Sequence, residues 1–164
     1  MDHKTRNGYP STFQPATGFP ATPQAAHWSS SLFDCFSDVN LCCMTCCCPC
    51  ITFGQIAEIV DKGETTCSIA GGIYLLLTCF TGCGCLYSCY YRSKLRSQYM
   101  LPEQPCNDFL LHCCCETCAL CQEYRELQHR GFDPSIGWHE NMRKQNPMVG
   151  MTTAPPVEGS MMRH

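Results

Sequence analysis

The sequence predicts a small, mostly α, cysteine-rich membrane protein with one or two transmembrane helices, a cytosolic cysteine-rich helix and disordered termini. Three observations carry this. The 27 residues from Thr65 to Tyr91 contain no charge. Residues Asp108–Arg130 carry apolar and cysteine side chains at helical spacing. Both ends of the chain are rich in Pro, Gly, Ser and Thr and lack any period. The expected organisation is a disordered tail over 1–27, a cysteine-rich membrane domain over 28–143, and a second disordered tail over 144–164.

Taken in chain order, the first tail holds Pro10, Pro15, Pro20 and Pro23, a composition that cannot bury a core. The first 30 residues hold no apolar run, so no signal peptide is expected, and there is no N-x-S/T acceptor. The 18 cysteines are then expected to be thiols in a reducing compartment rather than a disulfide framework. A net charge of −3 gives no electrostatic footprint for nucleic acid. Charged residues make up 15% of the chain, well below the roughly 25% of soluble domains.

Val39–Ala57 is the first uncharged stretch, and Pro49 interrupts it. Proline removes a backbone donor, so the segment is a kinked span, a re-entrant segment or an interfacial helix. Thr65–Tyr91 is the clearer span. About 20 apolar residues cross a bilayer as a helix, and Tyr87, Tyr90 and Tyr91 gather at one end as an interfacial belt does. Arg92, Lys94 and Arg96 follow it, which places that end in the cytosol. With both stretches crossing, Glu58–Glu64 is a short outer loop and both termini are cytosolic. Gly71, Thr78 and Cys85, with Leu75, Gly82 and Cys89, form two seven-residue series on one face. Small residues let membrane helices approach closely, so Gly71, Thr78, Gly82, Cys85 and Cys89 are the expected contacts of a homo-oligomer.

The helix over Asp108–Arg130 places Leu110, Cys114, Cys118, Cys121 and Arg125 on one face. Asp108 is the expected N-cap, and Gly131 with Pro134 beyond marks the stop.

Thiolates suit cadmium, zinc and copper(I). The candidate metal ligands are Cys42, Cys43, Cys46, Cys47, Cys48 and Cys50, with Cys118 and Cys121. Cys43/Cys46 and Cys118/Cys121 each have the C-x2-C spacing of a zinc half-site. Two other readings stand beside this one: lipid attachment at Cys46 to Cys48, and plain packing of small side chains, as expected for Cys79, Cys83, Cys85 and Cys89. Glu58, Asp61 and Glu64 are spaced to form a cation-attracting rim or, more simply, a solvated helix end and loop. No Walker loop, G-x-S-x-G or H-E-x-x-H motif is present, so an enzyme is not expected, nor is any required cofactor.

Several blocks of the chain resemble one family. They are Cys42-Cys43-x4-Cys48-Pro49-Cys50, WSS at Trp28–Ser30 with DCF at Asp34–Phe36, and CITFGQIAE at Cys50–Glu58. YRSKLR at Tyr91–Arg96, CALCQEYREL at Cys118–Leu127, and RGFD at Arg130–Asp133 followed by Gly137-Trp138 complete the set. Together they resemble the placenta-specific Cys-rich family, and within it the plant cadmium-resistance and cell-number-regulator (fruit-weight) proteins. The resemblance covers about Trp28 to Met142. It implies a plasma-membrane homo-oligomer that handles divalent cations (cadmium, zinc or calcium leaving the cell) in one branch and restrains cell number and organ size in the other. The implied partners are membrane lipid, divalent metal ions and further copies of the chain. One departure is Met44-Thr45-Cys46-Cys47 inside the motif, where the family has mostly apolar residues. The two extra thiols bear on metal preference or on acylation.

Overall fold

The structure is a computed structural model, and it describes residues 27–103 and 106–146. The tails expected at 1–27 and 144–164 lie outside these, apart from His27 and residues 144–146. The described residues are helical, with no strand among them. A 3-10 turn at Asp34–Ser37 leads into α1 (Val39–Cys47), α2 (Pro49–Val60), α3 (Cys67–Thr81) and α4 (Gly84–Tyr99). Then come α5 (Asp108–Cys114), α6 (Glu116–His129), a 3-10 turn at Pro134–Ile136, and α7 (Gly137–Gln145).

Asp38 starts α1 by accepting the Leu41 N–H at 3.0 Å, a normal N-cap. Pro49 occupies the first turn of α2, where its missing donor costs nothing. The uncharged stretch at Val39–Ala57 is therefore two helices meeting at 107°. The bend is held by Thr45, whose hydroxyl donates to the Leu41 carbonyl at 2.7 Å and lies 3.0 Å from that of Thr52.

The single span expected over Thr65–Tyr91 is not formed. It is two helices turning back on each other, and no single helix among the described residues is long and apolar enough to cross a membrane. Gly82 closes α3 in the left-handed region at φ +66°, which glycine adopts without strain. A Cβ on Gly84 would fall 2.1 Å from the Thr78 hydroxyl, so only glycine lets α4 fold back this closely. Both helices return to the aromatic centre of the core. Phe53 stacks on Tyr74 at 4.9 Å and meets Tyr87 at 5.1 Å and Tyr91 at 5.2 Å. Ile56, Val60, Ala70, Leu95, Leu120 and Leu127 are buried around it.

The helix expected over Asp108–Arg130 also breaks, at Cys115, whose N–H closes α5 on the Leu111 carbonyl and whose carbonyl opens α6. Asn107, not Asp108, is the cap: its side chain accepts the Phe109 N–H at 2.9 Å. The face proposed across this segment is thereby split, leaving Leu110 and Cys114 exposed and Cys121 buried. The stop at Gly131 is as expected. Gly131 at φ +86° donates to the Gln128 carbonyl, and Phe132 donates to that of Leu127, a Schellman closure.

The Glu58–Glu64 connection, expected as an outer loop, is bonded to the very segments expected on the inner side. Glu58 accepts the Trp138 N–H at 2.9 Å, and a Cβ on Gly63 would fall 2.7 Å from the Trp138 ring. Asp61 pairs with Lys94 of α4, and the Gln98 amide donates to the Val60 carbonyl at 2.7 Å. No bilayer fits between groups in contact, so the two-crossing arrangement is corrected.

The tightest seam is α2 on α3. A Cβ on Gly71 would fall 2.6 Å from the Cys50 carbonyl, whereas one on Gly72 meets nothing within 4 Å. Gly71→Ala is expected to destabilise by about 1–3 kcal/mol through overpacking. Gly72→Ala is expected to stabilise by up to about 1 kcal/mol through helix propensity. Denaturant unfolding followed by circular dichroism checks the pair. Equal effects would contradict the seam.

Candidate functional site: a buried ion network and an exposed thiol end

Arg92 directly follows Tyr91 of the aromatic centre on α4 and is fully buried. A buried charge must be paired, and α5 and α6 supply the hydrogen-bonding partners. Asp108 of α5 accepts from Nε at 3.2 Å, Glu123 of α6 from Nη1 at 3.1 Å, and the Gln122 carbonyl oxygen from Nη2 at 2.8 Å. The indole of Trp28 lies over the guanidinium at 4.2 Å, a cation–π contact. Arg96 takes the second oxygen of Asp108 at 2.7 Å. On the other side, His112 Nε2 meets Glu123 at 3.0 Å and its Nδ1 faces Glu116 at 3.8 Å. The Ser88 hydroxyl donates to Glu116 at 2.8 Å. With His112 protonated, three cations face three carboxylates. Burial disfavours the imidazolium, but Glu116 and Glu123 outweigh it and hold His112 up at about 9. Burial likewise raises Glu116, yet His112, Ser88 and Tyr74 together keep it below the usual carboxylate range.

This network is what the sequence reading missed. Sequence alone groups Arg92 with Lys94 and Arg96 as a basic membrane flank. The signal that could have found it is composition: Asp108, His112, Glu116 and Glu123 fall at helical spacing after a basic run.

The cysteines divide into two kinds. Cys43, Cys46, Cys47 and Cys48 are exposed on α1 and at its break with α2. Cys42, Cys50 and Cys118 are half-buried against the core, and Cys121 is fully buried within it. The two C-x2-C pairs are thus presented differently, one to the outside and one inward. Among the described residues no three His, Cys, Asp or Glu side chains converge on a metal-sized position. All eighteen cysteines are free thiols. Two pairs distant in sequence do meet: Cys35 with Cys118, and Cys85 with Cys113, each at 3.3 Å between sulfurs. Burial and Cys35 push Cys118 up to about 12, and Cys85 raises Cys113 to about 11. Cys118 and Cys113 therefore stay protonated at neutral pH and are poor nucleophiles.

The three carboxylates do not form a free rim. Glu58 joins two helix starts, accepting from the Cys67 and Trp138 N–H groups at 2.9 Å each. Asp61 is buried, accepting from the Tyr91 hydroxyl at 2.7 Å and pairing with Lys94. Only Glu64 is exposed. The small-residue series does not lie on one helix either. Gly71 packs on α2 and Gly82 is the turn between α3 and α4. The Thr78 hydroxyl donates to the Tyr74 carbonyl at 2.8 Å, and Cys85 and Cys89 are half-buried on α4.

At the end of the molecule where α3 turns into α4, large apolar side chains are exposed. They are Leu75, Leu76, Phe80 (83% exposed) and Leu86. The α1–α2 break borders this end, since Gly71 touches Cys50. So does the α5–α6 break, since Cys113 touches Cys85 and Glu116 bonds Ser88.

The fold and site define a small helical, cysteine-rich bundle with a sealed ionic interior, one uncharged end and exposed thiols beside it. Residues 28–126 match the PLAC8 family, and the chain belongs to it. Cell number regulator 10 of Zea mays is 60% identical over 129 residues, covering 77% of this chain and 82% of that protein. Cell number regulator 7 of Zea mays is 54% identical over 159 residues, covering 91% and 88%. Protein Plant Cadmium Resistance 2 of Arabidopsis thaliana is 52% identical over 145 residues, covering 87% and 95%. No solved structure matches.

Two outcomes follow from the network. Arg92→Ala leaves buried carboxylates uncompensated and is expected to cost about 3–5 kcal/mol, read as a lowered denaturant midpoint. His112 has its folded value raised above an unfolded value near 6.5. Its contribution is therefore full below about pH 6.5 and lost as pH rises through about 9, at most roughly 3 kcal/mol. Denaturant midpoints of the wild type and His112→Gln should differ most at pH 6 and converge by pH 10. A difference independent of pH would contradict a charged His112.

Proposed function

We propose that this protein confers resistance to thiophilic divalent cations, cadmium and zinc, at the plasma membrane, as a homo-oligomer that moves the captured ion out of the cell. It is read as a binding and transport protein rather than an enzyme. The observation that carries the proposal is the exposure of Cys43, Cys46, Cys47 and Cys48 beside an uncharged apolar end. Soft thiolates favour cadmium and zinc over hard cations. Relatives named for cadmium resistance, 52% and 51% identical, support the same reading. Homo-oligomers suit it because a tetrahedral thiolate site needs four ligands, and no three candidate ligands converge within one chain among the described residues. Calcium, which takes oxygen ligands, is the weaker cargo, since Glu58 and Asp61 are engaged internally.

A second reading is a non-transporting regulator of cell number and organ size that acts through protein partners. The named cell-number relatives support it. So does the bundle interior, where ion pairs and aromatic rings fill the space along which a polar path would run.

The test is the quadruple variant Cys43→Ser, Cys46→Ser, Cys47→Ser, Cys48→Ser. Serine removes the thiolates at exposed positions while nearly keeping their volume. Equilibrium dialysis of the purified protein should show most cadmium binding lost, and cells expressing the variant should lose cadmium tolerance at equal protein level. Unchanged binding and tolerance would overturn the metal reading and favour the regulator.

A further inference from the structure

We propose that this chain enters the lipid bilayer from one side only, with the α3–α4 hairpin tip among the acyl chains and both the 58–64 connection and α7 in the same aqueous phase. The proposal rests on the membrane part of the reading above and not on its transport part, which needs a path across the bilayer that one-sided insertion does not provide.

Length comes first. α3 has 15 residues, about 22 Å at 1.5 Å per residue, short of the ~30 Å hydrocarbon core. At its end the chain reverses through Gly82, and α4 returns along Thr78 and Tyr74. By Lys94 and Gln98 it is back beside Asp61 and Val60, where α3 began. Both ends of the hairpin therefore emerge together. Trp138 is tied to the same place through Glu58 and Gly63.

The character of the tip names its partner. Residues 78–83 are all exposed, as are Leu75 and Leu76. At 100° per residue these positions point in every direction around the helix axis. The tip is uncharged, and Leu75, Leu76 and Phe80 project from it on different sides, so only a surrounding apolar medium covers them together. A second copy would cover one face of such a projection, whereas acyl chains surround it. No charge lies anywhere between Glu64 and Arg92. From Tyr74, the last fully buried residue of α3, to Thr81 is seven residues, about 10 Å of helix. That matches the roughly 5–10 Å depth of interfacial insertion. Tyr90, exposed on α4 two turns from the turn, sits where headgroups would meet an aromatic ring.

The experiment adds purified full-length protein to preformed vesicles of phosphatidylcholine and phosphatidylserine and separates bound protein by flotation. A membrane-impermeant amine reagent is then applied, and the sites are read by mass spectrometry. Lys62 and Lys144, both exposed, report the two segments. The expected result is co-flotation, with Lys62 and Lys144 both labelled before the vesicles are lysed. The double variant Leu76→Asp, Phe80→Asp should keep its circular dichroism spectrum and lose at least about tenfold in bound fraction, because charge is costly among acyl chains. Labelling of one lysine only until lysis would overturn one-sided insertion and leave the membrane reading standing. Failure of the wild type to float, with a stable dimer in light scattering, would assign the tip to a second copy and overturn both.

Discussion

The pairing of one fully buried guanidinium, Arg92, is the constraint that organises the rest of this molecule. It reaches Asp108 on α5, Gln122 and Glu123 on α6, and Trp28 ahead of α1. An unpaired charge there would cost several kcal/mol, so these elements must converge on one point. The two departures from regular helix nearby follow from that demand. Asp108 is taken by Arg92 and Arg96, which leaves capping of α5 to Asn107. Glu116 must turn inward to Ser88 and His112, and the chain breaks at Cys115 just before it.

A second set of polar contacts gives the molecule two unlike ends. Glu58 starts both α3 and α7, and Asp61 holds Tyr91 and Lys94. Arg130 stacks on Tyr99 at 4.0 Å and pairs with Glu126 at 2.7 Å, close to where α4 and α6 finish. The opposite end carries the α3–α4 turn, flanked by two helix breaks, and each of these three interruptions bears cysteine. Charge and hydrogen bonding close one end, and apolar side chains and thiols face outward at the other.

Much of the helical content was legible because it follows from composition and spacing. The uncharged length of 65–91 and the stop at Gly131 need only local chemistry. The interruption at Gly82 was present as a Gly-Cys-Gly triplet, but an uncharged run reads as continuous when only its length is weighed. Asn107 and Asp108 are equally good caps in isolation; the choice is made by an arginine sixteen residues earlier. Arg92 looked like a membrane flank because a sequence does not distinguish a guanidinium in water from one met by carboxylates. The sulfur contacts Cys35–Cys118 and Cys85–Cys113 join residues 83 and 28 apart, and no spacing rule reaches that far. The exposed cysteines of α1 were legible as a cluster, while their separation from Cys118 and Cys121 depends on how α1 packs against α6.

The membrane form proposed above is one intact bundle, with the 58–64 connection held against α4. Zero-length carbodiimide coupling of native membranes tests it most directly, because Asp61 and Lys94 form an ion pair in this fold. The account predicts an amide-linked Asp61–Lys94 peptide pair, recovered by mass spectrometry from membranes as readily as from purified protein. Recovery from purified protein alone would contradict the account. In that case the two groups would lie on opposite faces of a bilayer about 30 Å thick.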